Sequence, residues 1–291
     1  MTFVVCTIEP DASQFIGAIL LHRSLVANGA KPFDFRLTIV RRGSDETLLA
    51  DLADSFGIKV RLTESHFQNP FLNKWPGLAA HKDLRGAKHV VCLDWDMLLV
   101  RRGSFLAPNP NAITARPNPR DLYAARLATL KRRIAGPPLI EPNFHVPSSI
   151  NGGLLIASER QLRRCGRATI RYEELIGSST QNWDPWEREQ LALSLAVGEI
   201  GLHPLDPSWN ATHRADVRPE RIFLWHYNDG WQPTYRLKRC LQMSADALAS
   251  LREIQRTRPN PVAVFLQHYA RILDEPWFQR LAELGTLRKV A

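Results

Sequence analysis

Alternation constrains this chain more than any other feature. Short apolar runs recur through its first third, and a helix-patterned segment separates each from the next. Residues 2–7 (TFVVCT) are too few and too uniformly apolar for a helix, so they read as a buried strand. Asp11 is placed as an N-cap, and Phe15, Ile16, Ile19, Leu20, Leu25 and Val26 then recur at helical spacing until Gly29. Residues 35–40 (FRLTIV) predict a second strand. A helix capped by Ser44 or Asp45 follows, with Leu48, Leu49, Leu52, Ala53 and Phe56 on one face and Gly57 at its end. Residues 58–62 predict a third strand, 72–84 a partly helical segment, and 89–93 (HVVCL) a fourth strand. Strands that alternate with helices build a parallel sheet covered on both faces. The expected class is therefore α/β, with a Rossmann-like, mostly parallel sheet flanked by helices. Ligands of such sheets sit beyond the carboxyl ends of the strands.

The pattern changes after Gly103. Residues 103–149 are rich in Pro, Asn and Arg and read as a long excursion, broken by a short strand near 112–115 and a basic helical segment over 120–134. Residues 150–157 (INGGLLIA) return to a strand, and helices are expected over 159–175 and 186–197. Residues 221–226 (RIFLWH) predict a late strand. Three helices, 244–256, 261–273 and 276–287, are separated by Pro-containing breaks. The expected organisation is one main domain, 1–240, with a helical extension, 241–291, packed on it.

Composition excludes several classes. At 291 residues, 44% hydrophobic and 23% charged, the chain is neither collagenous, nor a disulfide scaffold, nor disordered throughout. No apolar run approaches the roughly 20 residues that span a bilayer. The N-terminus has neither a basic region nor a small-residue cleavage site, so no signal peptide is expected. Four scattered cysteines without a CxxC pair fit a reducing compartment, and the localisation read from this is cytoplasmic. The net charge of +9 suits anionic partners. No helix-turn-helix, zinc-finger or RNP signature accompanies it, so no specific nucleic acid is expected. The basic stretch 126–133 is a candidate for peripheral contact with the inner face of a membrane.

The sharpest motif is HVVCLDWDMLLV, in which an apolar strand delivers Asp94-Trp95-Asp96. Two acids one residue apart at a strand end make an oxygen-rich site for Mg²⁺ or Mn²⁺. The competing reading is an acid that merely caps the next element. Apolar runs on both sides favour the metal, because charges buried there need partners. His226 ends another apolar strand, where a lone histidine is more often structural; it can add a nitrogen ligand if it meets Asp94 and Asp96 in space. Asn151-Gly152-Gly153 opens a strand, either as a plain turn before it or as a place where glycine permits close approach of backbone to a ligand. Asp184, Pro185, Glu187, Glu189 and Gln190 open a helix. Cap and dipole explain the acids, which can equally bind a polyhydroxylated acceptor.

Taken in order, these elements resemble the GT-A-fold glycosyltransferases, nearest to the family-eight type that includes glycogenin-like and lipopolysaccharide sugar transferases. The order is an early Thr after the first strand, Lys74, the D-x-D strand, N-G-G, E-Q-x-A-L, and a strand-final His. It covers roughly residues 1–236, and LDWDMLLV is its most specific element. The resemblance implies a catalytic domain over 1–240. It implies a nucleoside-diphosphate sugar as donor, a UDP-sugar before others, and a hydroxylated acceptor such as a glycan or glycolipid. It also implies Mn²⁺ or Mg²⁺ on Asp94, Asp96 and His226. Thr7, Ile8 and Glu9 would lie near base and ribose, Trp95 near the ribose, and Lys74 near the sugar nucleotide. Asn151, Gly152 and Gly153 match a donor- and acceptor-sugar loop. Glu189 and Gln190 match the family's D-Q. Transfer would be retaining by resemblance, with Asp184, Glu187, Glu189 and Gln190 as catalytic candidates. Attack without an enzyme nucleophile stays open. The chain also departs from the pattern. An extra residue lies between His226 and Gly230. Gln232 and Thr234 stand where the family has Lys and Trp, and Leu191 replaces its second Asp. The diphosphate would then rest on the cation and on Lys74, Arg236 or Lys238. Alternatives are a haloacid-dehalogenase-type Mg²⁺ phosphatase and a catalytically inactive glycosyltransferase-like or basic binding protein.

Overall fold

The structure, a computed structural model, describes residues 1–43, 46–64, 67–118, 149–179, 183–212, 217–227 and 275–287, with residues 264, 267–269, 271 and 272 before the last of these. Nine strands are described: β1 Thr2–Ile8, β2 Phe33–Arg41, β3 Lys59–Glu64, β4 Val90–Leu93, β5 Met97–Leu99, β6 Ile113–Pro117, β7 Ile150–Ala157, β8 Leu202–Pro204 and β9 Leu224–His226. The α-helices are α1 Ala12–Asn28, α2 Glu46–Ser55, α3 Lys74–Ala80, α4 Glu159–Ser179, α5 Pro185–Ile200 and α6 Pro276–Leu287.

Seven strands form one sheet in the order β3-β2-β1-β4-β7-β6-β8. β3, β2, β1 and β4 are parallel, β7 runs against both β4 and β6, and β8 is parallel to β6. The sheet is thus mostly parallel, with β7 reversed. The chain leaves β1 toward β2 and returns on the other side as β4. That change of direction opens a crevice at the carboxyl edge. The reversal of β7 brings its start, Ile150–Gly153, to the same edge.

Local chemistry accounts for the elements. The Asp11 carboxylate accepts from the Ser13 and Gln14 amides and starts α1. Gly29 closes it with an N–H to the Leu25 carbonyl. Gly57, at φ 70°, supplies the left-handed turn between α2 and β3. One apolar layer packs α1, α2 and α6 on the sheet, with Phe15, Leu20, Leu37, Trp225 and Trp277 inside it. The other packs α3, α4 and α5, with Trp75, Leu162, Leu191 and Leu193 inside. Each such side chain contributes about 1.5–3 kcal/mol on burial. The extension holds through Trp277, edge-on to Phe15 at 6.0 Å and to Phe56 at 5.4 Å, and through the Arg23–Glu275 ion pair.

Two sequence expectations change. The strand expected over 221–226 shortens to Leu224–His226, because Pro219 opens a 3₁₀ turn through Arg221. It also leaves the main sheet and pairs antiparallel with β5. β8, only three residues long, carries no apolar run and was not expected. The Ser44/Asp45 cap, the helices over 120–134 and 244–256, most of 261–273, and residues 228–240 lie outside the described residues. No helix among the described residues is long and apolar enough to cross a membrane.

Candidate functional site

β4 ends at Leu93, and the chain turns through Asp94-Trp95-Asp96 into β5. The turn is clamped on both sides. Asp94 N–H donates to the Gly153 carbonyl of β7 at 3.0 Å, and the Asp96 carbonyl accepts from Tyr227 N–H, just past β9, at 3.0 Å. Trp95 lies over α1 at Gly17, where a Cβ would stand 2.4 Å from its ring, so α1 must present glycine there. β5 and β9 pair Met97 with His226. This register delivers the imidazole beside Asp96, its Nε2 at 3.3 Å from Asp96 Oδ1.

Ligand atoms of Asp94, Asp96 and His226 lie within 4.8 Å of one another. Asp96 and His226 are buried, at 4% and 1% exposure, and Nε2 of His226 makes no hydrogen bond among the described residues. Two carboxylates at such range repel. At about 4 Å the cost is about 4 kcal/mol at an effective dielectric of 20. Two oxygen donors, one bare nitrogen and an excess of negative charge fit a divalent cation. Burial and the Asp94 and Asp96 carboxylates push the neighbouring Cys6 thiol well above its usual range.

Lys74, at the start of α3, reaches across the crevice. Its ammonium is 3.2 Å from Glu189 Oε1 and 3.7 Å from Asp94 Oδ1. Burial pulls its pKa down, but the Asp94 and Glu189 carboxylates outweigh burial and hold it above the ordinary lysine value. Glu189, on α5, is 2% exposed, and burial raises its pKa against the opposing effect of Lys74. The lysine thus keeps its charge and ties α3, α5 and the D-x-D turn together.

The chain matches no protein-family model and no curated protein. Among solved structures it is similar to the galactosyltransferase LgtC in complex with donor and acceptor sugar analogs. Identity is 13%, coverage 88% of this chain and 96% of that one, and the TM-score 0.50. An active-site mutant of LgtC is similar at 14% identity over the same shares, with a TM-score of 0.49. The fold is GT-A. The candidate cation site thus lies at the carboxyl edge of a GT-A sheet, at its change of strand direction.

The other expected residues fall at various distances from this centre. Thr7, half-buried at the end of β1, touches α3 so closely that a Cβ on Gly77 would stand 2.2 Å from its hydroxyl. Ile8 is buried in the core. Glu9 is held by Arg42 and by Asn73, both at 2.8 Å. Gly152 and Gly153 are where backbone meets the site. A Cβ on Gly152 would be 3.4 Å from the Lys74 ammonium, and one on Gly153 would be 2.4 Å from His226 Cε1. Asp184 is an exposed N-cap, accepting from Trp186 N–H at 3.1 Å. Glu187 and Gln190 are half-buried on the first turns of α5. Arg236, Lys238, Gln232 and Thr234 lie outside the described residues, as does the stretch 126–133.

Sequence reasoning passed over Asn210. It ends a 3₁₀ turn, Pro207–Asn210, whose N-cap Asp206 accepts from Ser208 N–H. Its side-chain oxygen is 3.1 Å from His226 Nδ1, and its amide nitrogen is 3.2 Å from Asn151 Oδ1. The Pro at the turn's first position was a legible signal, but it marks only the turn and not what Asn210 faces.

Proposed function

We propose that this chain transfers a sugar from a nucleoside-diphosphate sugar to a hydroxyl acceptor, with a divalent cation on Asp94, Asp96 and His226. The observation that carries this reading is that cluster's place on the sheet. Two acids and a bare imidazole nitrogen converge at the switch point of a GT-A fold. LgtC, the similar structure, is a galactosyltransferase in complex with donor and acceptor sugar analogs, which supports the reading.

A bound divalent cation there supplies Lewis-acid stabilisation of the charge that develops on the leaving diphosphate. The chain's own residues do the rest. Asp94 and Asp96 bring negative charge that would otherwise oppose a diphosphate, and Lys74 offsets part of it from the Asp94 side. Thr7 and Glu9 border the place for base and ribose at the end of β1, with Trp95 near the ribose. Asn151, Gly152 and Gly153 present a floor without side-chain bulk, against which the donor sugar approaches the Asp94 turn. Asp184, Glu187 and Gln190 face the acceptor from the start of α5. Lys74 keeps its proton and therefore orients rather than accepts one. Glu189, buried against it, is held in place and is the candidate carboxylate nearest the donor side.

The finer parts of the reading are a UDP-sugar donor, Mn²⁺ before Mg²⁺, retention of configuration and a glycan or glycolipid acceptor. Residues 1–240 would be the catalytic unit, in the cytoplasm, with membrane contact through 126–133. The phosphatase alternative needs its D-x-D on the first strand, and here the motif follows β4.

The test is calorimetric titration with UDP and with GDP, each with Mn²⁺ and with EDTA, repeated on Asp96→Ala. Cation-dependent binding of one nucleotide, lost in the variant, is expected, followed by donor-sugar hydrolysis. Absence of binding to either nucleotide, and to TDP or CMP, would overturn it.

A further inference from the structure

The hydrogen-bond chain behind His226 runs in one direction only, and its direction is set by a group that cannot flip. The Gly153 backbone N–H is a donor by constitution. It points at Asn151 Oδ1, at 3.0 Å, so that atom must be the amide oxygen. An amide oxygen cannot face another oxygen, so the atom of Asn210 that lies 3.2 Å from it must be Nδ2. The opposite atom of the same amide is then Oδ1, an acceptor, 3.1 Å from His226 Nδ1. Acceptor and ring nitrogen form a bond only if Nδ1 carries hydrogen. Nε2 of the neutral ring is then a lone pair 3.3 Å from Asp96 Oδ1, two acceptors that a cation shared with Asp94 would reconcile.

We propose that Asn210 is a positioning residue that locks His226 in the Nδ1–H form and so presents Nε2 as a ligand. The proposal rests on the cation site inferred above, and it deepens that site by assigning its outer partners.

The relay is built as a fixed part of the fold. Asn210 is fully buried, and Asn151 and His226 nearly so. No water-exposed rotamer competes with the bonds they make. The backbone of Asn210 is held as well: the Arg116 guanidinium of β6 donates to its carbonyl. The next residue, Ala211, donates to Leu224 and accepts from His226 N–H at 2.8 Å, so the turn and β9 move together. Ring orientation is fixed from the other side by Gly153, where even a methyl group would overlap His226 Cε1. Outer partners of this kind generally set the tautomer of a metal-ligating histidine, and their loss costs about 10–100-fold in metal affinity. What is particular here is the origin of the constraint. A β7 amide, two asparagines apart from the ring, decides which nitrogen is free.

Two measurements test this. The first needs no variant. Ring-nitrogen chemical shifts of His226 in the metal-free protein, recorded where the ring is neutral, are expected to show hydrogen on Nδ1. Hydrogen on Nε2, shared with Asp96, would overturn the proposal. The second compares Mn²⁺ affinity, read by electron paramagnetic resonance of the free ion, among wild type, Asn210→Leu and Asn210→Asp. Asn210→Leu removes the acceptor and should weaken Mn²⁺ binding by about 10–100-fold, with hydrogen redistributed to Nε2. Asn210→Asp keeps an acceptor on Nδ1 but turns its second oxygen toward Asn151 Oδ1, so it should hold hydrogen on Nδ1 and bind Mn²⁺ more tightly than Asn210→Leu, though not more tightly than wild type. Equal affinity in wild type and Asn210→Leu would refute the relay. If Asn210→Leu does not fold, Asn210→Asp and the wild-type ring shifts still decide. A wild-type protein that binds no Mn²⁺ but carries hydrogen on Nδ1 would sink the cation reading and leave the relay standing.

Discussion

His81 makes this protein acid-labile by an amount that follows from its surroundings. It caps α3 in a fully buried position. The Thr38 hydroxyl donates to the Gly77 carbonyl at 3.0 Å, so its oxygen must accept from His81 Nε2–H, also at 3.0 Å. Nδ1 is then a buried nitrogen without a hydrogen-bond partner among the described residues. Protonation there would place an unsolvated cation near Arg36 and Arg61. Burial first, and Arg36 second, accordingly lower the His81 pKa from 6.5 to about 4. The unfolded chain takes up a proton near the ordinary value and the folded chain only near the lowered one. Stability is therefore full above the ordinary value and drains as pH falls toward the lowered one. Between about pH 7.5 and about pH 5 the linkage amounts to about 2 kcal/mol. His22, His89 and His268 are shifted in the same direction by burial, so wild type alone would blend four contributions. The comparison is with His81→Gln, which keeps a donor for Thr38 and does not titrate. Urea unfolding of both proteins across that range should show the wild-type advantage shrinking by about 2 kcal/mol toward acid. A difference independent of pH would refute the reasoning, since it would mean that the ring is protonated in the folded state or that Nδ1 has a partner.

Asp96→Ala should raise the Kd for nucleotide with Mn²⁺ by about 100-fold and, by removing one opposing charge, should not weaken the slight binding left in EDTA, measured by calorimetry. Lys74→Met strands Glu189 in the crevice and should cost about 3–5 kcal/mol of stability by urea titration, because one buried charge loses its partner. Gly153→Ala should weaken Mn²⁺ binding more than it lowers the melting temperature, since its methyl group meets His226 Cε1 rather than the core. Gly77→Ala should separate α3 from Thr7 and lower stability by about 1–3 kcal/mol, read from the shift in urea midpoint.

The centre of the sheet was legible because its strands are buried on both faces, which writes them as short uninterrupted apolar runs. β1, β2 and β4 are runs of that kind, and the Asp11 cap and Gly29 stop mark α1 by chemistry that acts within a few residues. The D-x-D turn was legible for the same reason: charge at the end of an apolar strand is conspicuous. What the sequence does not write is pairing between distant segments. Nothing in LWH shows that β9 leaves the main sheet to pair with β5, yet that register is what brings His226 to Asp96. Nor does anything in DPSWNAT show that Asn210 would back the ring. Its role comes from meeting Asn151 in space, and an asparagine at the end of a Pro-led turn is ordinary turn chemistry. The Trp residues divide likewise: Trp75 and Trp225 are core, whereas Trp186 is 40% exposed.

The β5–β9 pairing spans three residues on each side, and a ribbon that short has little stability of its own. It holds because Val100 N–H reaches the Phe223 carbonyl, Tyr227 N–H reaches the Asp96 carbonyl, and Ala211 brackets β9. Opening those bonds and withdrawing Leu224 and Trp225 from the apolar layer would part His226 from the acids while the seven-stranded sheet stays folded, an opening distinct from global unfolding. Amides of β9 should therefore exchange with solvent faster than those of β1, and any cation that requires both halves of the site would slow the first set and not the second. At a free concentration of about 100 times its Kd, such an ion would oppose that opening by about 2.7 kcal/mol. The ligand would thereby act as a latch between two parts of the chain that the backbone itself joins only weakly.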